Sequence, residues 1–333
     1  MSLVDFSGGV SSRGVPLLGG AFTLPRMGGR IAGSSEDAKV FFVDPANGSD
    51  SNLGEDPGEA LDTVSAAYAK TVDKRGDVIY LLNDGNTSGT SREDATITWS
   101  NDNTHLVGWC APSLMSQRAR ISPTTTLGSI VTPQLTVSGN GCMFANFSLF
   151  EGDDQDGTAS ICVNVTGDRN YFWNVAMMNM GDAATGNSGD EAASYHLQID
   201  GGEENVFERC YIGLDTANRT AANANLHLDN SATRNAFYHC FFPMRADAAD
   251  PLFVKITGTD GIDRFVLFDN CIFHNFGTTL TQAMSVPNSL GGNVIIKDCM
   301  AIGATEWDAN DNAFTNSPAG NVLGGIGVTV AGA

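Results

Sequence analysis

The chain has 333 residues, 42% of them hydrophobic, enough for one large domain with a substantial core. Its net charge of −20 argues against nucleic acid and anionic membranes as partners, because both call for a basic surface. No stretch is long and apolar enough for a transmembrane helix, and residues 1–30 lack the basic start and apolar run of a secretory leader.

Residues 1–38 read as an extended N-terminal arm. They are Gly-rich, with apolar islands at Val15-Pro-Leu-Leu18 and Ala21-Phe-Thr-Leu24. Up to residue 35 the charges are Arg13, Arg26 and Arg30 against Asp5, a net +2, which leaves −22 of the total −20 on the remainder. Such asymmetry marks an interaction arm. Leu17, Leu18, Phe22, Leu24 and Ile31 are poor choices for a solvated linker, so they join the three arginines as candidate partner-binding residues.

Residues 39–305 form the predicted body. A strand at Val40–Val43 leads into Asp44-Pro-Ala-Asn47-Gly-Ser-Asp50, whose Asp44, Asn47 and Asp50 are expected to accept backbone N–H bonds as turn formers. A capping helix is predicted over about 58–74, with Leu61, Val64, Ala67, Tyr68 and Val72 on its apolar side. It precedes the strand Asp77–Leu82 and would cover the open end of a stacked structure. An early coil is expected at Ala95–Trp99 and Thr104–Cys110.

Beyond it, six segments share one pattern. Phe144-Ala-Asn146-Phe147-Ser-Leu149 is followed by copies beginning at Phe172, Phe207, Phe237, Phe268 and Ile296. The inward key position holds Phe147, Val175, Cys210, Cys240, Cys271 and Cys299, at steps of 28, 35, 30, 31 and 28 residues. A recurring period in this range marks a solenoid. Pairs such as Cys240/Phe242 alternate with period 2, as in a strand. A second strand precedes each copy: Leu135–Val137, Val163–Val165, Leu197–Ile199, Leu226–Leu228 and Val254–Ile256.

The seven cysteines are an odd number without a Cys-x-x-Cys pair, and four of them occupy the inward position. They read as buried free thiols, in keeping with synthesis in a reducing compartment. The residue before the key position is Asn146, Asn174, Arg209, His239, Asn270 or Asp298, read as a polar turn ladder; the alternative is a site made by Arg209, His239 and Asp298. The outward column Asn164, Gln198, His227 and Lys255 reads as ordinary solvent face. Excursions near 152–158, 181–193, 215–225 and 278–289 leave the coil at comparable places, and residues 306–333 form a Gly-, Asn- and Ala-rich C-terminal tail.

Together with the Asp44–Gly54 segment, the repeats resemble the pectate-lyase-like superfamily over about residues 40–305, in the style of bacteriophage virion β-helix proteins. The resemblance implies an all-β fold, a right-handed parallel β-helix (solenoid) with a short N-terminal capping helix and an extended N-terminal arm. Lyase members use an Arg or Lys base beside calcium-binding carboxylates, and polygalacturonase-like members use paired Asp with Gly-His-Gly and Arg-x-Lys. Neither signature is present, so no catalytic residue, metal or cofactor is expected. The fold hosts many functions, and three stay open. The first is a virion structural protein, a capsid decoration or cement protein made in the host bacterial cytoplasm and carried on the capsid exterior. Its partners would be the major capsid protein, through the arm, and neighbouring copies of itself, as a homotrimer. The second is a tailspike-like carbohydrate-binding protein or polysaccharide depolymerase, with Trp99, Trp109, Trp173 and Trp307 available to stack on a surface glycan. The third is a bacterial polysaccharide lyase or epimerase.

Overall fold

A computed structural model describes residues 10–12, 15–18, 38–86, 89–114, 118–124, 131–152, 158–181, 188–315 and 319–320. Short strands separated by turns carry the chain round and round one axis. A representative coil runs through Leu135–Val137, Met143–Ala145 and Ser148–Phe150, and the next through Ile161–Val165, Tyr171–Trp173 and Ala176–Met178. Equivalent strands of successive coils pair in parallel and build three sheets. In the order the chain visits them these are sheet A with seven strands, and sheets B and C with ten each. The fold is a right-handed parallel β-helix.

The register follows the sequence repeat. Phe144, Phe172, Phe207, Phe237, Phe268 and Ile296 are successive partners across sheet B. Neighbouring strands lie about 4.8 Å apart, which places identical inward rings at stacking distance. The ring centroids of the five phenylalanines are 4.7, 4.6, 4.7 and 5.0 Å apart in turn. Beside them, Phe147, Val175, Cys210, Cys240, Cys271 and Cys299 are all buried in the same continuous core. The thiols are free. Cys210, Cys240, Cys271 and Cys299 donate to the carbonyls of Phe172, Phe207, Phe237 and Phe268 at 3.4–3.5 Å, so each thiol bonds the aromatic position of the preceding coil.

Two residues suffice to turn the chain from sheet B into sheet C, and the first of them is left-handed in every copy. Asn146, Asn174, Arg209, His239, Asn270 and Asp298 have φ between 49° and 60°. This is the turn ladder expected from the sequence. Asn suits it best because its short polar side chain tolerates this region. Asn174 Nδ2 donates to Asn146 Oδ1 at 2.7 Å, and Asn146 Nδ2 donates to the Gly108 carbonyl at 3.0 Å.

A second polar ladder lies inside the corner between sheets A and B. Asn170, Asn205 and Asn235 are fully buried. Each accepts on Oδ1 a backbone N–H of the preceding coil, from Cys142, Asn170 and Asn205 respectively, at 2.8–2.9 Å. Each also donates from Nδ2 to a glycine carbonyl, that of Gly139, Gly167 and Gly202. Buried backbone groups at a corner need partners, and these asparagines supply them. The signal was present in the sequence as Asn-x-Phe two residues before three of the repeat phenylalanines.

The capping helix is shorter than predicted. Instead of 58–74, helix α1 covers Val64–Tyr68, preceded by a 3-10 turn at Pro57–Glu59. Its flanks are claimed by other bonds. Leu61 forms a parallel bridge with Val43. Asp50 Oδ1 accepts the N–H groups of Asp62 and Thr63, fixing the start. Beyond the helix, the buried Asp77 carboxylate takes the N–H groups of Val72 and Lys39 and the guanidinium of Arg75. Asp44 accepts from the N–H groups of Ala46 and Asn47, as its turn role requires. At the other end the body continues past residue 305. Ala313–Thr315 adds a parallel strand to sheet B, and Ala319–Gly320 one to sheet C. The segment 215–225, read from the sequence as a loop, begins as a strand, Leu214–Arg219, beside Phe241–Ala246. Within the arm, Val10–Ser12 and Val15–Leu18 pair antiparallel.

Candidate functional site

Leu17 and Leu18 belong to the short antiparallel pair of the arm; Arg13, Phe22, Leu24, Arg26, Arg30 and Ile31 lie outside the described residues. The body offers three outer faces.

On sheet A, Asn164, Gln198, His227 and Lys255 do stand in one column. It is not the ordinary solvent face that the sequence suggested, because His227 is buried. Its ring stacks on Tyr195, 4.3 Å between centroids, and Nε2 lies 2.7 Å from Thr257 Oγ1. Lys255 reaches back to the carbonyls of Ala192 and Ala222, in two different C-to-A connections, at 3.4 and 3.3 Å. These contacts draw the connections over the sheet. Burial pushes His227 down to about 4, against the opposing pull of Asp229, so its imidazole is neutral at neutral pH. Burial also lowers Lys255.

The alternative grouping is Arg209, His239 and Asp298. The three occupy left-handed corner positions on separate coils. Among the described residues, no group of three or more His, Cys, Asp or Glu is placed to hold a metal ion.

The tryptophans divide. Trp99 is fully buried, donates to the Thr104 carbonyl at 3.2 Å, and meets Phe144 edge-on; Trp307 packs inside against Phe273 at 5.5 Å. Neither is available to a glycan. Trp109 and Trp173 instead belong to the outer face of sheet B, in an apolar cluster with Phe42, Tyr80 and Tyr171. Tyr80 stacks on Phe42 at 5.9 Å and meets Trp109 edge-on at 5.7 Å.

The outer face of sheet C carries exposed apolar side chains. One column runs Ser148, Ala176, Tyr211, Phe241, Ile272 and Met300. Its middle is covered: Ala176 and Tyr211 pack with Leu214 and Ala217 from the strand Leu214–Arg219. Past that strand the cover ends. Ile272 is 43% exposed, Met300 39%, and Phe276, whose ring lies 3.9 Å from that of His274, 53%. Apart from this face, on the last strand of sheet B, Phe314 is 62% exposed beside a groove of about 430 Å³ lined by Pro287, Leu290, Asn293 and Asn312. Exposed apolar side chains neighbouring along one column of a strongly acidic protein make a candidate contact surface. The sequence held the signal in the residue after each repeat cysteine, which is Tyr211, Phe241, Ile272 and Met300 in four consecutive copies.

No family model matches the chain, and no curated protein matches it in sequence. Solved structures match it in shape. A pectate lyase shares 16% identity over 80% of this chain, with a TM-score of 0.54, and the match spans 63% of that enzyme, less than two thirds of its length. Pectin methylesterase PemA from Erwinia chrysanthemi shares 16% identity with a TM-score of 0.53, over 83% of this chain and 82% of its own. A pectin methylesterase solved with a hexasaccharide gives 15% identity and a TM-score of 0.56, over 87% of this chain and 91% of its own. At this identity the likeness is one of fold. The chain has a parallel β-helix of the pectate-lyase-like kind, the fold it shares with this lyase and these methylesterases.

Proposed function

We propose that this protein is a non-catalytic structural component of a bacteriophage virion, a capsid decoration or cement protein. The observation that carries the reading is the uncovered end of the apolar column of sheet C, Ile272 and Met300 with Phe276, on a body of strong negative charge. Such a surface suits a protein neighbour, because apolar area leaves water when it is covered while the surrounding charge keeps free subunits soluble. We assign the column to contact between copies in a homotrimer, and residues 1–38, apolar and net positive up to residue 35, to the major capsid protein. An arm laid along a groove can form many backbone and apolar contacts, which offset its ordering entropy.

The test is attachment to particles. Wild-type protein should bind purified particles lacking it, and a variant without residues 1–35 should remain folded and fail to bind. Binding by the truncated variant would overturn the arm's role. Ile272→Asp with Met300→Asp should reduce the trimer to monomers in analytical ultracentrifugation, and an unchanged mass would overturn the role of sheet C.

A second reading has its own observation. The half-buried rings of Phe42, Trp109 and Trp173 on the outer face of sheet B are of the kind that stack on sugars. Titration of host surface polysaccharide against tryptophan fluorescence separates the two, since a decoration protein predicts no response.

A further inference from the structure

The corner where sheet C leads into sheet A holds a cation with no counter-charge among the described residues. Arg219, the last residue of the strand Leu214–Arg219, is 1% exposed. Its Nε donates to Asn223 Oδ1 at 2.7 Å and its Nη1 to Asn225 Oδ1. Both acceptors are neutral amides. Its Nη2 is buried without any partner. Burial alone displaces its ionisation, downward to about 9, and no carboxylate acts on it. It therefore stays charged at neutral pH. An unpaired buried cation is costly, and natural structures pair such groups.

The neighbouring group is His196, fully buried on the strand Tyr195–Asp200, where the parallel register sets it opposite Asn225, the amide that holds Arg219 Nη1. Its Nδ1 accepts the Asn179 N–H at 2.8 Å, so a neutral ring carries its proton on Nε2. Burial and the Arg219 charge hold it neutral. Nε2 is also buried without a partner. Two N–H donors, one of them cationic, thus stand without an acceptor in one corner of the interior.

We propose that this corner is a structural binding site for a small monovalent anion of the halide class, held by Arg219 Nη2–H and His196 Nε2–H. The anion accepts both hydrogen bonds and neutralises the guanidinium. The neighbouring amides orient the site, because Asn223 and Asn225 fix the guanidinium plane while their Nδ2 groups are committed to the carbonyls of Gly189 and Ile212. The site lies between the strands Tyr195–Asp200, Leu214–Arg219 and Ala224–Asp229 and so fastens the inserted strand to the solenoid. It is independent of the proposed function.

The experiment uses the full chain. Thermal unfolding is compared in chloride, bromide and gluconate at one ionic strength, and crystals grown in bromide are measured at its absorption edge. A site of this kind raises the folding constant by a factor of 1 + [L]/Kd, about tenfold when the halide stands at about ten times its Kd. The expected result is a higher midpoint in either halide than in gluconate, with a bromide anomalous peak beside Arg219 Nη2. Arg219→Met should abolish the difference between salts. Should that variant not fold, the wild-type salt comparison and the anomalous map decide alone. Equal midpoints in all three salts, or a map without a bromide peak in this corner, would overturn the proposal.

Discussion

Replacing Asn205 by leucine tests whether the buried asparagine ladder holds the coils in register. The side chains are similar in size, so packing changes little. What changes is hydrogen bonding. Asn205 Oδ1 accepts the Asn170 N–H at 2.9 Å, and its Nδ2 donates to the Gly167 carbonyl at 3.1 Å. Both bonds are buried, so leucine leaves one N–H and one C=O without these partners. Each such loss costs about 1–3 kcal/mol, giving about 2–6 kcal/mol for the pair. The leucine recovers part of that through apolar burial, about 1–2 kcal/mol. A net loss of about 1–4 kcal/mol is expected, a large share of an ordinary folding free energy of about 5–15 kcal/mol. Urea denaturation followed by circular dichroism gives the value, and amide hydrogen exchange gives the location. The Asn170 amide should lose protection far more than the Phe237 amide, two coils away. Wild-type stability together with an Asn170 amide protected as before would refute the reasoning.

Other outcomes follow from the same contacts. Cys240→Asp should aggregate or fail to fold, because it places a carboxylate in the buried stack beside the Phe207 carbonyl; normal yield and a native circular dichroism spectrum would contradict the inward register. Arg209→Gly should be neutral or stabilising by up to about 1 kcal/mol, since φ is 54° there, whereas Arg209→Val should destabilise by about 1–2 kcal/mol; thermal melts rank the two. His105 and His227 are both buried and depressed from 6.5 to about 4 by desolvation. In that window the unfolded chain binds protons that the folded chain refuses. Stability should therefore be full above pH about 6.5 and fall as pH drops toward 4, by up to about 3 kcal/mol per histidine. Denaturation at pH 7, 5.5 and 4.5 measures the slope, and His227→Gln should make it shallower.

Much of the fold was legible because a solenoid repeats its core. One inward position read six times over, at 147, 175, 210, 240, 271 and 299, sets both the strand direction and the register. Errors arose where a local pattern competed with a contact distant in sequence. The apolar spacing over 58–74 favours a helix, but Asp50 and Asp77 claim the N–H groups at its flanks and shorten it to five residues. His227 looks solvent-facing by alternation alone; it is buried because Tyr195 lies beside it and Lys255 ties two connections across the sheet. Trp99 and Trp307, two of the four candidate sugar-stacking rings, point inward on the end coils. Arg219 carried no signal at all, for its burial depends on how the inserted strand packs. The outer column of sheet C was visible as a run of apolar residues after the repeat cysteines. Only parallel register shows that those residues stand above one another.

The most direct test of the structural role is the number of copies of this chain in intact, purified phage particles, determined by quantitative mass spectrometry against the major capsid protein. A decoration or cement protein predicts hundreds of copies per particle, in fixed ratio to the shell. Absence from particles, or only a handful of copies at a tail or vertex, would contradict it.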